Sequence, residues 1–298
     1  MALDTKTPHD PAWLELMYNN RALVPEHVNY FARWAKESAQ VRADHPCVAD
    51  LAYGKGARET LDVFPTTQLP PGSGKGAPVL VFIHGGYWRA LDKSDHSFIA
   101  PAFNREGVCV VVVNYSLCPG TPEAPVGIPQ IMRQMEKAIA WIWQNIGRYG
   151  GDPHRITVAG HSAGGQLAAM LLTSVWPLIG NLPDGAVRSA LSISGLHDLD
   201  PLMHTPFLQE TLKLTEQQVL QYSPARLQAP GQGMLYCAVG GDESPEFIRQ
   251  ARLVQDAWGS HAVPRCQVQE GLNHFSIVDA LAKPGHDLHH MALILLRA

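Results

Sequence analysis

Five stretches of the chain are apolar almost without interruption and rich in β-branched residues: 78–86 (PVLVFIHGG), 108–116 (VCVVVVNYS), 155–162 (RITVAGHS), 188–195 (RSALSISG) and 234–241 (MLYCAVGG). Short runs of this kind without polar alternation predict strands buried on both faces, the pattern of a parallel sheet. Helical periodicity fills the intervals at 94–105, 128–149, 163–175 and 245–258. Strand–helix alternation implies right-handed crossovers and a doubly wound, mostly parallel α/β sheet. A last strand is expected at 264–271, with closing helices over 276–298. Ahead of the apolar runs, 47–54 and 59–65 alternate apolar and polar residues, as two half-exposed edge strands would.

Two segments stand outside this alternation. Residues 1–45 are aromatic-rich (Trp13, Tyr18, Tyr30, Phe31, Trp34), with helical spacing around 28–39. Residues 196–230 lie between two strands and hold several short helical pieces. An insertion there sits over the carboxyl ends of the strands, where α/β sheets bind their ligands. We expect both segments to form a small helical cap on a single domain spanning 1–298, a length that suits one α/β unit. The stretch 68–78 (QLPPGSGKGAP) reads as a loop. Its GSGKG lacks a Ser or Thr after the lysine and follows no buried strand, so it is expected to be a linker and not a phosphate loop.

The candidate chemistry sits at the ends of the predicted strands. Gly160-His161-Ser162-Ala163-Gly164 fits G-x-S-x-G. The motif alone arises by chance in roughly one chain in ten of this length, so its context decides. Here a buried strand enters it and a helix leaves it, the strand-to-helix elbow that presents a nucleophilic serine above an α/β sheet. A serine hydroxyl needs a base to remove its proton. Among 14 histidines, His274 is the best placed: it follows the last strand and a Gly-containing turn, giving the chain order Ser, acid, His. The acid that orients the imidazole should follow the 234–241 strand, where Asp242 and Glu243 compete. Past the 78–86 strand, Gly85 and Gly86 let the backbone turn N–H groups of the 85–87 loop, including Tyr87, toward a substrate oxygen. The Ala163 N–H would complete an oxyanion hole. Tyr87, Trp88, His197 and Phe275 are expected on the pocket wall, with Tyr87 and Trp88 keeping the acyl side small. The remaining histidines are expected mostly on the solvated surface.

Composition narrows the classes. Charged residues make up 17% and the net charge is −4, which offers no basic face to a nucleic acid. Five cysteines without CxxC spacing read as reduced thiols of a cytoplasmic protein. No signal peptide is visible, and the apolar runs fall far short of the ~18 residues that span a bilayer, so no membrane partner is expected. Neither H-E-x-x-H nor the H-x-G-T-H-x-D pattern of metal-dependent formamidases occurs, so no metal is expected. Association between copies of the chain is left open.

The blocks IHGGYWRALDKSDHSF, VVVVNYSLCPG, GGDPHRITVAGHSAGGQLAAMLL, ESPEFIRQ and NHFSIVDAL together resemble, in order and spacing, the kynurenine formamidase-like (arylformamidase) esterases of the α/β-hydrolase superfamily. HGGYW is the most specific, because related lipase-like esterases usually carry a third glycine where Tyr87 stands. The resemblance covers most of the chain. It implies cofactor-free hydrolysis of a small-molecule substrate, either an aryl formamide such as N-formylkynurenine or a short-chain carboxylic ester. It also implies that the acid directly precedes Ser/Thr-Pro-Glu-Phe, which favours Glu243 over Asp242. General carboxylesterase action is the alternative, and a non-catalytic ligand-binding protein on the same fold the remote one.

Overall fold

The computed structural model describes residues 10–68 and 76–298. Most of the GSGKG loop lies outside them. Among the described residues eight strands form one sheet: β1 (Val48–Ala52), β2 (Thr60–Phe64), β3 (Ala77–Ile83), β4 (Cys109–Val113), β5 (Gly151–His161), β6 (Ser189–Ile193), β7 (Met234–Gly240) and β8 (Arg265–Gln269). Their spatial order is β1-β2-β4-β3-β5-β6-β7-β8. Strands β3 to β8 pair in parallel, while β1 and β2 add antiparallel partners at one side.

The helices are α1 (Pro11–Tyr18), α2 (Asn20–Leu23), α3 (His27–Asp44), α4 (Ala100–Asn104), α5 (Ile128–Asn145), α6 (Ala163–Leu172), α7 (Asp200–Met203), α8 (Pro206–Leu212), α9 (Glu216–Tyr222), α10 (Pro245–Ala262), α11 (Ser276–Leu281) and α12 (Asp287–Arg297). Successive side chains of a strand point to opposite faces, and the two cores divide accordingly. Val79, Val81 and Ile83 of β3 pack into the layer that holds Ile131, Leu167 and Phe247 of α5, α6 and α10. Leu80 and Phe82 face the other layer, with Phe103, Ile277 and Leu288 of α4, α11 and α12. None of the helices among the described residues is long and apolar enough to cross a membrane.

Two local expectations need correction. Strand β2 is not an edge: it lies between β1 and β4, and all but its first residue are buried. Its Asp62 is fully buried because Lys93 Nζ reaches its carboxylate at 2.6 Å. The helix expected over 94–105 begins late. Short 3₁₀ turns at Lys93–Asp95 and Ser97–Ile99 precede α4, which carries Pro101 in its first turn. Proline is tolerated there because it lacks the N–H that a helix interior needs.

Candidate active site

Strand β5 delivers Ser162 at the carboxyl edge of the sheet, with φ 56° and ψ −117°, backbone that a residue bearing a Cβ rarely adopts. Such strain costs about 1–3 kcal/mol and persists where surrounding contacts over-determine it. The Ser162 N–H is tied to the Ile193 carbonyl of β6 at 2.8 Å, and its own carbonyl accepts from Gly165 and Gln166 in the first turn of α6. The turn closes only with small neighbours. A Cβ on Gly160 would stand 2.0 Å from the Gly164 oxygen, and one on Gly164 would stand 2.1 Å from the Ile83 oxygen.

The loop after β8 brings His274 to the same place. Asn273 Oδ1 accepts from the N–H groups of Phe275 and Ser276, closing a tight turn around His274 just before α11. His274 Nδ1 lies 2.6 Å from Glu243 Oε2, and both side chains are buried. The other carboxylate oxygen accepts from the Gly240 N–H at 2.7 Å and the Ser194 hydroxyl at 2.5 Å. Asp242 is exposed, and its N–H goes to the Leu272 carbonyl. The structure therefore puts Glu243, and not Asp242, on the imidazole. His161, the motif residue before the serine, donates from Nε2 to the His274 carbonyl at 2.8 Å. Burial, and after it the neighbouring His274, holds its pKa well below the ordinary value.

The loop after β3 is shaped by what stands behind it. The Gly85 carbonyl oxygen lies 2.9 Å from His84 Nδ1 and 3.0 Å from the Tyr115 hydroxyl. A trans peptide points its C=O and N–H in opposite directions, so pinning that carbonyl inward turns the Gly86 N–H outward, to the cavity that Gly86 and Ser162 both line. Gly86 has φ +93°, and a Cβ there would meet the Ala90 oxygen at 2.4 Å. Tyr87 follows in the left-handed region, and its hydroxyl donates to the Tyr18 carbonyl at 2.6 Å. Ala163 is the first residue of α6, so its N–H has no partner within the helix.

The cavity above Ser162 measures about 230 Å³. Besides Ser162, His161 and His274 it is lined by Tyr87, Phe275, Phe31, Trp34 and Phe207, and by polar residues of the α1–α2 turn. Two pocket assignments fail. Trp88 is fully buried in the core, where its ring N–H bonds Gln166 Oε1 at 3.3 Å, so it does not line the cavity. His197 is likewise fully buried. Its ring is spent on Ser192 Oγ and the Gln250 carbonyl, both at 2.9 Å, and burial holds its pKa down to about 4. Of the other described histidines, His45, His154, His261 and His290 are exposed and His27, His204 and His286 half-buried, but His84, His96, His161 and His289 are buried like His197. The pocket residues missed were Arg89, Ala90 and Leu91 of the loop after β3, Phe207 of α8, and those of the N-terminal helices. The aromatic richness of those helices was the available signal, but it reads equally as core.

The family model BD-FAE matches residues 65–189, which hold the Gly85–Gly86 loop and the Ser162 elbow. A kynurenine formamidase of Danio rerio is 31% identical over 255 residues, covering 83% of this chain and 81% of that one. A crystal structure from Silicibacter sp. TM1040, provisionally assigned as a thioesterase, superposes with a TM-score of 0.79 at 31% identity, over 96% of this chain and 99% of the other. Esterase B from Lactobacillus rhamnosis shares the fold at a TM-score of 0.66 and 17% identity, over 94% and 95% of the two chains. The chain is a hydrolase of the α/β-hydrolase fold and belongs to the kynurenine formamidase family.

Proposed function

We propose that the chain hydrolyses aryl formamides and short-chain aryl esters by acyl transfer through Ser162, His274 and Glu243. The observation that carries this is the buried 2.6 Å pair of His274 Nδ1 with Glu243, in the same cavity as a serine held on a strained elbow. With Nδ1 committed to the carboxylate, Nε2 is the nitrogen left to take the Ser162 proton. The oxygen then attacks the acyl carbon, and the resulting oxyanion is met by the N–H groups of Gly86 and Ala163, with Tyr87 and Gly85 as further donors of the same loop. His274 returns the proton to the leaving nitrogen or oxygen as its bond to the acyl carbon breaks. Water, deprotonated by the same imidazole, then releases the acid from Ser162. Glu243 stays ionised throughout and stabilises the imidazolium.

N-Formylkynurenine is the leading formamide, because the Danio rerio relative carries kynurenine formamidase in its name. General carboxylesterase action would differ in the leaving atom, not in the machinery. The test combines stoichiometric labelling by an organophosphonate with a panel of N-formylkynurenine, aryl formamides and aryl acetates. Label on Ser162, with Ser162→Ala about 10⁶-fold slower, is expected. Label on any other residue would overturn the mechanism. Fast ester turnover beside negligible N-formylkynurenine turnover would assign the chain as an esterase.

A further inference from the structure

Helix α1 ends at Tyr18, and the last carbonyls of a helix have no donor within it. Here side chains from two loops of the candidate site meet them. The Ser244 hydroxyl donates to the Met17 carbonyl at 2.6 Å, and the Tyr87 hydroxyl donates to the Tyr18 carbonyl at 2.6 Å. Ser244 follows Glu243 and stands at the N-cap of α10, where a serine ordinarily accepts from the first N–H groups of the helix. It makes no such bond, and its hydroxyl goes to α1 instead. The Tyr18 side chain adds a further tie. Its buried hydroxyl donates to Glu246 Oε2 at 2.7 Å and accepts from Gln250 Nε2 at 3.0 Å, both on α10. Burial, and after it the Glu246 charge, raises the Tyr18 pKa well above its ordinary value, so the phenol keeps the proton it donates. The Tyr18 ring packs on Phe247 with centroids 5.8 Å apart, and Phe247 in turn lies 4.6 Å from the His274 ring.

These ties join parts of the site that the sheet keeps apart. Tyr87 follows β3 and Ser244 follows β7, and β5 and β6 lie between those strands. At about 4.8 Å per strand, the two loops leave the sheet about 14 Å apart. Ser162, at the end of β5, stands in that interval. Met17 and Tyr18, adjacent in α1, reach both sides of it.

Resting on the serine-hydrolase reading above, we infer that Tyr18 and Ser244 are positioning residues, and that the end of α1 is a brace holding the Glu243 turn and the 85–87 loop at a fixed separation across Ser162. The carboxylate and the loop N–H groups act on charges that develop only as the acyl carbon is attacked. A loosened brace therefore raises the barrier and leaves substrate binding nearly alone.

Deletion of single hydroxyls tests this: Ser244→Ala, Tyr87→Phe and Tyr18→Phe, assayed with 4-nitrophenyl acetate, with kcat taken per site titrated by an organophosphonate. Each should lower kcat about tenfold, the order expected of a sub-ångström misplacement. Acylation and deacylation use the same two loops, so KM should hold within about twofold. Ser244→Ala combined with Tyr87→Phe should fall little below the slower single variant, because both cut the same brace. Ser244→Thr, which keeps the hydroxyl, should recover most of the rate. A kcat within about twofold of wild type in the single variants would overturn the inference. So would losses that multiply in the double variant, or that appear in KM instead of kcat. A merely structural role would lower the urea midpoint and the number of titratable sites while kcat per site stayed unchanged, and that result also refutes the brace. Should Tyr18→Phe fail to fold, the Ser244 and Tyr87 variants decide alone. Phosphonate on a residue other than Ser162 would overturn the underlying reading instead.

Discussion

Replacing Glu243 by glutamine removes one charge and almost no volume, and the surrounding bonds dictate how the amide must sit. Gly240 N–H and Ser194 O–H both point at the Oε1 position. The backbone N–H can only donate, so the glutamine carbonyl oxygen is drawn there, which leaves the amide NH₂ facing His274 Nδ1 across the former 2.6 Å contact. Two donors cannot share that contact. The imidazole must shift its proton to Nε2, where it can no longer accept one from Ser162. Loss of tautomer and counter-charge together is worth about 10⁴ in kcat, or about 5.5 kcal/mol of barrier. Glu243→Asp keeps the charge but draws the carboxylate back by about one C–C bond, ~1.5 Å. A misplacement of that size costs about 10². Asp242→Asn, on an exposed side chain, should stay within about threefold. Initial rates with 4-nitrophenyl acetate, with thermal unfolding to confirm a folded enzyme, rank the three variants. A Glu243→Gln enzyme within tenfold of wild type, or a larger loss in Asp242→Asn, would refute the assignment.

Trp88→Ala should lower stability by about 3–5 kcal/mol in urea unfolding, because the ring is fully buried. Its relative rates on acetyl and butyryl esters should be unchanged, and a shift in acyl preference would return Trp88 to the pocket. His84, His96 and His197 are buried, and burial holds the first and last down to about 4 and His96 to about 3. Their unfolded values lie near 6.5. Below about pH 6.5 the unfolded chain binds protons the folded chain refuses, so stability is complete above that pH. It drains as pH falls toward the folded values, by on the order of 1–2 kcal/mol per histidine at about pH 5. A urea midpoint that is flat from about pH 7 to pH 5 would contradict this. Hydrolysis should survive exhaustive chelation, and a loss restored by zinc or manganese would overturn the mechanism.

Much of the fold could be read because its determinants are local. Residues 109–113, CVVVV, have no partner requirement except apolar surroundings on both faces, and the sheet supplies them as β4. The elbow was equally plain, since Gly160, Ser162 and Gly164 form one continuous turn whose clearances depend on residues in sequence contact and on β3 next door. Strand β2 misled because Asp62 looks solvated in any local window. Its partner Lys93 lies 31 positions away, and only the folded sheet makes the pair compatible with burial.

The proposed acid shows the same division at finer scale. Asp242 and Glu243 are neighbours, and no count of spacing separates them. What separates them is the turn after β7, in which the Glu243 carboxylate folds back onto the Gly240 N–H, while the Asp242 N–H is used to hold the Leu272 carbonyl. The turn needs Gly240 itself, where a Cβ would stand 2.1 Å from the Leu272 oxygen. One glycine thus lets the His274 loop approach and positions the carboxylate that meets it. The buried histidines were illegible for a related reason. Imidazole is polar in composition, but His84 against Gly85 and His161 against the His274 carbonyl are neutral rings used as hydrogen-bonding spacers. His84 orients the Gly85–Gly86 peptide, and His161 ties the elbow to the His274 backbone. Much of the site's geometry therefore rests on side chains that, in the sequence, look like surface.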